Sequence, residues 1–98
     1  MKESSLQSKI LKYINNLPEG IAENVSGGAN QSGRADINAC YKGRCMKIEL
    51  KRPASYEKPS LKQEVYLRSW KRAGAMVLWC SSLEEVKRLI AFIDEHTQ

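Results

Sequence analysis

Asp36-Ile37-Asn38-Ala39-Cys40-Tyr41-Lys42-Gly43-Arg44-Cys45-Met46-Lys47-Ile48-Glu49-Leu50-Lys51 is the stretch whose reading decides the fold. Polarity alternates on both sides of Lys42-Gly43, so the spacing predicts a β-hairpin turning on that dipeptide. The turn sets the register: Tyr41 faces Arg44, Cys40 faces Cys45, Ile37 faces Ile48, and Asp36 falls opposite Glu49. A four-residue loop over Tyr41 to Arg44 keeps the same pairing. Successive side chains alternate faces, so Asp36, Asn38, Lys47, Glu49 and Lys51 share one face. Ile37, Ala39, Met46, Ile48 and Leu50 share the other.

Outward from the hairpin, the chain reads α-β-β-β-α-β-α. Ser4 or Ser5 can open a first helix whose apolar stripe is Leu6, Ile10, Ile14 and Leu17, with Pro18 and Gly20 ending it. Ile21 to Val25 reads as a short strand. Ser26 to Gly33 is a glycine-rich loop without the Gly-Lys-Ser/Thr ending of a P-loop, so no nucleotide cofactor is expected. Ser60-Leu61-Lys62-Gln63 resembles a capping box, and its helix should run to about Ala73, stopping at Gly74. Ala75 to Cys80 is continuously apolar, as in a strand buried on both faces. Ser82 to Glu85 is a second capping box, for a helix turning Val86, Leu89, Ile90 and Ile93 inward. A crossover helix joins the hairpin to the last strand, which should therefore lie parallel to its neighbour. The fold class is α/β, with a mixed central sheet flanked by helices.

With 98 residues, the chain is expected to form a single domain over 1–98, with a modest core that pairing with a second copy would supplement. No apolar run approaches 18 residues and there is no signal-peptide pattern, so a soluble, cytoplasmic protein is expected, without a membrane partner. Three cysteines without Cys-x-x-Cys spacing argue against a disulfide framework or a zinc centre, and a reducing compartment would keep Cys40 and Cys45 as thiols. The lone histidine, His96, excludes a multi-histidine metal site or a His-based triad. Net charge is +5, and its distribution is uneven. Lys42 to Arg72 holds ten basic residues against three acids, while the rest of the chain holds six against eight. Such a field fits a phosphate backbone, with Arg34, Lys42, Arg44, Lys47, Arg52, Lys58 and Lys62 as the nucleic-acid contacts. The plainer reading is a solvated charged surface.

Directly opposed Cβ atoms lie about 4.5–5.5 Å apart, and like charges there repel. Asp36 and Glu49 so placed, with Lys51 on the same face, invite a divalent cation. Metal held by carboxylates can activate water and neutralise charge at phosphorus, and magnesium needs few protein ligands because it keeps several waters. Lys51 could orient or deprotonate the water, or stabilise the phosphorane. A bare Glu-x-Lys is otherwise a solvated charged face on an edge strand.

Gly33-Arg34-Ala35-Asp36, Gly43, Ile48-Glu49-Leu50-Lys51, Gln63, and Gly74 before an apolar strand together resemble the VRR-NUC domain, a branch of the PD-(D/E)XK nucleases. The resemblance spans the chain from Glu3 to the last strand. It departs from the superfamily pattern at Ala35, where a proline often precedes the aspartate. It implies a restriction-endonuclease-like fold and a Mg2+- or Mn2+-dependent DNA endonuclease. Asp36, Glu49 and the Leu50 backbone carbonyl would be metal ligands and Lys51 the catalytic lysine. Gln63 would position water or substrate, with its capping role as the alternative. Glu3 would approach the metal, with helix-dipole compensation as its rival, and Gln7, one turn on, would assist. Free-standing members of phages and prokaryotes act on Holliday junctions as homodimers, so branched DNA and a second copy are the implied partners. Flap, nicking or other DNA preference, or a non-catalytic nucleic-acid-binding module, are the alternatives. Trp70 and Trp79 read as core residues, and Tyr56 as a weaker nucleic-acid contact.

Overall fold

The structure, a computed structural model, describes residues 3–25, 36–50 and 61–96; the side chains of Glu3, Ser4 and Gln63 lie outside that description. The element order is α1 (Glu3–Asn15), β1 (Gly20–Asn24), β2 (Ile37–Tyr41), β3 (Arg44–Leu50), α2 (Leu61–Arg72), β4 (Met76–Cys80) and α3 (Leu83–His96). The strands form one mixed sheet in the order β1-β2-β3-β4. β1 to β3 are antiparallel, and β4 lies parallel to β3, as the crossover connection requires. The arrangement is the α-β-β-β-α-β-α mixed-sheet fold expected from the sequence.

The hairpin register is the one the turn dictates, from Tyr41↔Arg44 to Ile37↔Ile48. Lys42 and Gly43 both take positive φ, 49° and 82°, as a two-residue type I′ turn demands. The core-facing row of β2 and β3 (Ile37, Ala39, Tyr41, Met46, Ile48 and Leu50) packs with Leu6, Ile10 and Ile14 of α1 and Val86, Ile90 and Ile93 of α3. Ile10, Ile14, Ile37, Ile48 and Val86 are wholly buried. Burying side chains of this kind stabilises by about 1.5–3 kcal/mol each, an upper estimate. Helix α2 lies over the opposite face, where Leu67 is buried outside that cluster.

Chain ends of the elements explain several boundaries. Helix α1 begins at Glu3, so Ser4 and Ser5 fall inside it rather than capping it, and it ends at Asn15. Gly20 opens β1 because a Cβ there would sit 2.6 Å from the Ile14 carbonyl oxygen. The Asn15 side chain exchanges two hydrogen bonds with the backbone of Ala22, mimicking a neighbouring strand on the outer edge of β1. Helix α2 closes with Ala75 N–H donating to Trp70 and Gly74 N–H to Lys71, a Schellman arrangement. At α3 the Glu85 carboxylate accepts from Ser81 N–H (2.7 Å), one residue upstream of the capping-box expectation.

Three expectations are corrected. Met76 to Trp79 are only half-buried, β4 being the last strand of the sheet among the described residues. Trp70 is 40% exposed rather than core. Cys40 and Cys45 form a disulfide rather than standing as thiols. They face each other with Cα atoms 4.0 Å apart, the close approach of an antiparallel pair that exchanges no backbone hydrogen bonds.

Candidate functional site

One step beyond Ile37↔Ile48, the hairpin brings Asp36 to the level of Glu49. Pairs on this face alternate with the hydrogen-bonded ones, so Cys40/Cys45 and Asn38/Lys47 are close pairs, and Asp36 and Glu49 each stand one residue beyond the last pair of the ladder. Asp36 is half-buried, and its Oδ2 accepts the Leu50 N–H at 2.9 Å, while its carbonyl accepts from Val25 N–H. Glu49 is only 7% exposed. On its side away from β2 is Trp79, its register partner on β4. A carboxylate removed from water acts through a lower effective dielectric, so its pull on a cation exceeds that of a surface carboxylate. The donor set of this sheet end is all oxygen: two carboxylates and the Leu50 carbonyl. That chemistry suits magnesium or manganese rather than zinc. Among the described residues no group of three or more His, Cys, Asp or Glu could hold a metal ion. Two carboxylates with retained waters are within magnesium's usual needs.

Lys47 is the residue whose place the hairpin pattern alone misjudges. It is 6% exposed, so it does not offer its charge to a surface ligand. Its Nζ donates to Asn38 Oδ1 at 2.7 Å and lies 3.6 Å from the Trp70 ring centre, with Tyr66 at 5.8 Å. The ammonium is therefore held between the sheet and α2 by a cross-strand amide below and aromatic faces above. Asn38 in turn donates to Glu23 Oε2 at 3.4 Å. The signal in the sequence was Tyr66 and Trp70, one helical turn apart and flanking Leu67 on the sheet side of α2.

Other expected site residues are scattered. Lys42 donates to Asp94 Oδ1 at 2.9 Å, and the Tyr41 hydroxyl donates to the same oxygen at 2.8 Å. The hydrogen bond from Lys42, with that from Tyr41, holds Asp94 below the usual carboxylate value. Hydrogen bonding to Asp94 raises both Lys42 and Tyr41, and burial also raises Tyr41. This cluster sits at the turn end of the hairpin, away from Asp36 and Glu49. Arg44 is exposed at that same end, and Lys62 is exposed in the first turn of α2. Gln7 donates to Asn24 Oδ1 at 2.9 Å, which orients the start of α1 toward the sheet end holding Asp36. Arg34, Lys51, Arg52, Tyr56 and Lys58 lie outside the described residues, as do the side chains of Glu3 and Gln63.

No helix among the described residues is long and apolar enough to cross a membrane. No protein-family model, no curated protein and no solved structure matches this chain.

Proposed function

We propose that this protein is a divalent-metal-dependent endodeoxyribonuclease of the VRR-NUC type, acting on branched DNA, four-way junctions above all, as a homodimer. The observation that carries this reading is the hairpin register bringing Asp36 and a buried Glu49 together at the end of β3, beside the Leu50 backbone. Asp36, Glu49 and the Leu50 carbonyl would hold Mg2+ or Mn2+, which when bound supplies a Lewis acid for the phosphodiester and a more acidic water. Lys51 would orient that water or stabilise charge developing at phosphorus, and Gln63 would help to position water or substrate. The resemblance of Gly33 to Asp36 and Ile48 to Lys51 to the VRR-NUC pattern supports the same roles.

The test is cleavage of four-way, flapped and linear duplex DNA by purified protein with magnesium, manganese or chelator. Metal-dependent cutting, fastest on the junction, is expected. Lys51→Ala should slow it by about 10²–10⁴-fold with DNA binding retained, and Glu49→Gln should abolish most of it. One observation favours a second reading, a non-catalytic nucleic-acid-binding module: Asp36 already accepts a backbone hydrogen bond. DNA binding without cleavage in any metal would establish that alternative. Equal cutting of linear and branched DNA would keep the nuclease and discard the junction preference.

A further inference from the structure

The two sides of the sheet differ in charge. Helix α2, on the face that carries Asp36, Lys47 and Glu49, holds Lys62, Arg68, Lys71 and Arg72 against the single acid Glu64. Helix α3, on the other face, holds Lys87 and Arg88 against Glu84, Glu85, Asp94 and Glu95. All four α2 cations are exposed, and no acid among the described residues forms an ion pair with any of them. On α3, by contrast, Lys87 approaches Glu84, and Asp94 takes Lys42. Compensation of the helix dipole accounts for Lys71 and Arg72 in the last turn, but not for the others. Lys62 stands in the first turn, where a cation opposes the dipole, so its placement costs helix stability.

We propose that the outer face of α2, through Lys62, Arg68, Lys71 and Arg72, is the surface that takes the phosphate backbone of DNA. This rests on the nucleic-acid part of the function proposed above, and it moves the contact away from two hairpin lysines. Lys47 is buried and Lys42 is engaged with Asp94. Arg68 and Arg72 are one turn apart and Lys71 adjoins them, so the three form a compact cationic end to the helix. A polyanion is steered toward the positive side of such a molecule and away from α3, which delivers it to the face bearing the candidate carboxylates.

The experiment measures affinity for a linear DNA duplex in chelator across a salt series, so that no cleavage is required. Each phosphate contact contributes a slope of about 0.9 in log affinity against log salt. The triple variant Arg68→Gln/Lys71→Gln/Arg72→Gln should lose about 2–3 from that slope, and Lys87→Gln/Arg88→Gln on α3 should lose none. Should the triple variant melt early, the single variant Arg68→Gln should lose about 1. Lys62→Gln should lose about 1 while melting no lower than the parent, since it removes a cation from the first turn. An unchanged slope in the α2 variants, or an equal loss in the α3 variant, overturns the proposal. Binding of the parent to phosphatidylserine vesicles but not to duplex DNA overturns it in favour of a lipid surface. Cleavage in magnesium is scored separately: a protein that binds through α2 yet never cuts leaves this surface standing and removes the nuclease.

Discussion

Lys47 shows how much a single buried charge depends on its neighbours. Isolated from water, an ammonium is costly unless acceptors and π-faces replace its hydration. Here Asn38 Oδ1 and the Trp70 ring do so, at 2.7 and 3.6 Å. Lys47→Met keeps most of the stem but removes the hydrogen bond and the cation–π contact. It should destabilise by about 1–3 kcal/mol, a drop in Tm of several degrees, about 4–8 °C for each kcal/mol. The slope of DNA affinity against salt should not move, which separates a buried anchor from a phosphate contact. The Tyr41–Asp94–Lys42 cluster carries a different signature. Asp94 is held below its ordinary 3.8, so the stability it contributes is present above that value and lost as pH falls through the lowered one. Lys42 and Tyr41 are raised above 10.5 and 10.0, so their contribution is present below those values and lost as pH rises through the raised ones. Asp94→Asn should therefore melt below the parent at neutral pH. In a pH series of melting curves the gap should close below about pH 3.8 and again above about pH 10.5.

The hairpin is the element that organises the site, and Asp36 stitches its open end. Its carboxylate was expected to oppose Glu49 and to share a metal ion with it, and it also accepts the Leu50 N–H. Removing the acceptor strands that donor, at about 1–3 kcal/mol, whereas an asparagine retains an acceptor oxygen and loses the like-charge repulsion of about 0.2–1 kcal/mol. Melting in chelator should thus place Asp36→Ala clearly below Asp36→Asn. An alanine variant as stable as the asparagine one would remove the stitch. Helix α2 is the complementary element. Its Schellman ending and the Leu67–Trp70 side seat it beside β4 and over Lys47 of β3, and the Tyr66 and Trp70 rings help to bury that lysine.

At the scale of the whole molecule, the three helices among the described residues divide unequally over the four strands described with them. Two cover the core face and one covers part of the other, so the candidate carboxylates and the basic helix share a side while the acidic helix lies opposite. A ligand that binds only the folded protein stabilises it by mass action, by about 2.7 kcal/mol at a hundredfold excess over Kd. Magnesium should therefore raise the Tm of the parent in proportion to the logarithm of its concentration and leave Glu49→Gln nearly unmoved. A shift of equal size in both would place the ion elsewhere.

What the sequence determined by itself is local. Period-two polarity around Lys42-Gly43 dictated the hairpin and its register from Tyr41↔Arg44 to Ile37↔Ile48, because a two-residue turn leaves only one alignment that keeps the apolar row together. The crossover helix dictated a parallel last strand for the same reason of chain geometry. Which polar residues face water was decided only by the tertiary structure. Lys47 and Lys42 both read as open cations of the hairpin, yet one is enclosed beneath Trp70 and the other is drawn to Asp94 from across the chain. The half-buried β4, the exposed Trp70 and the joining of Cys40 to Cys45 belong to the same class. Each depends on where a distant segment comes to rest, and burial of a side chain is a property of its neighbours rather than of its own spacing.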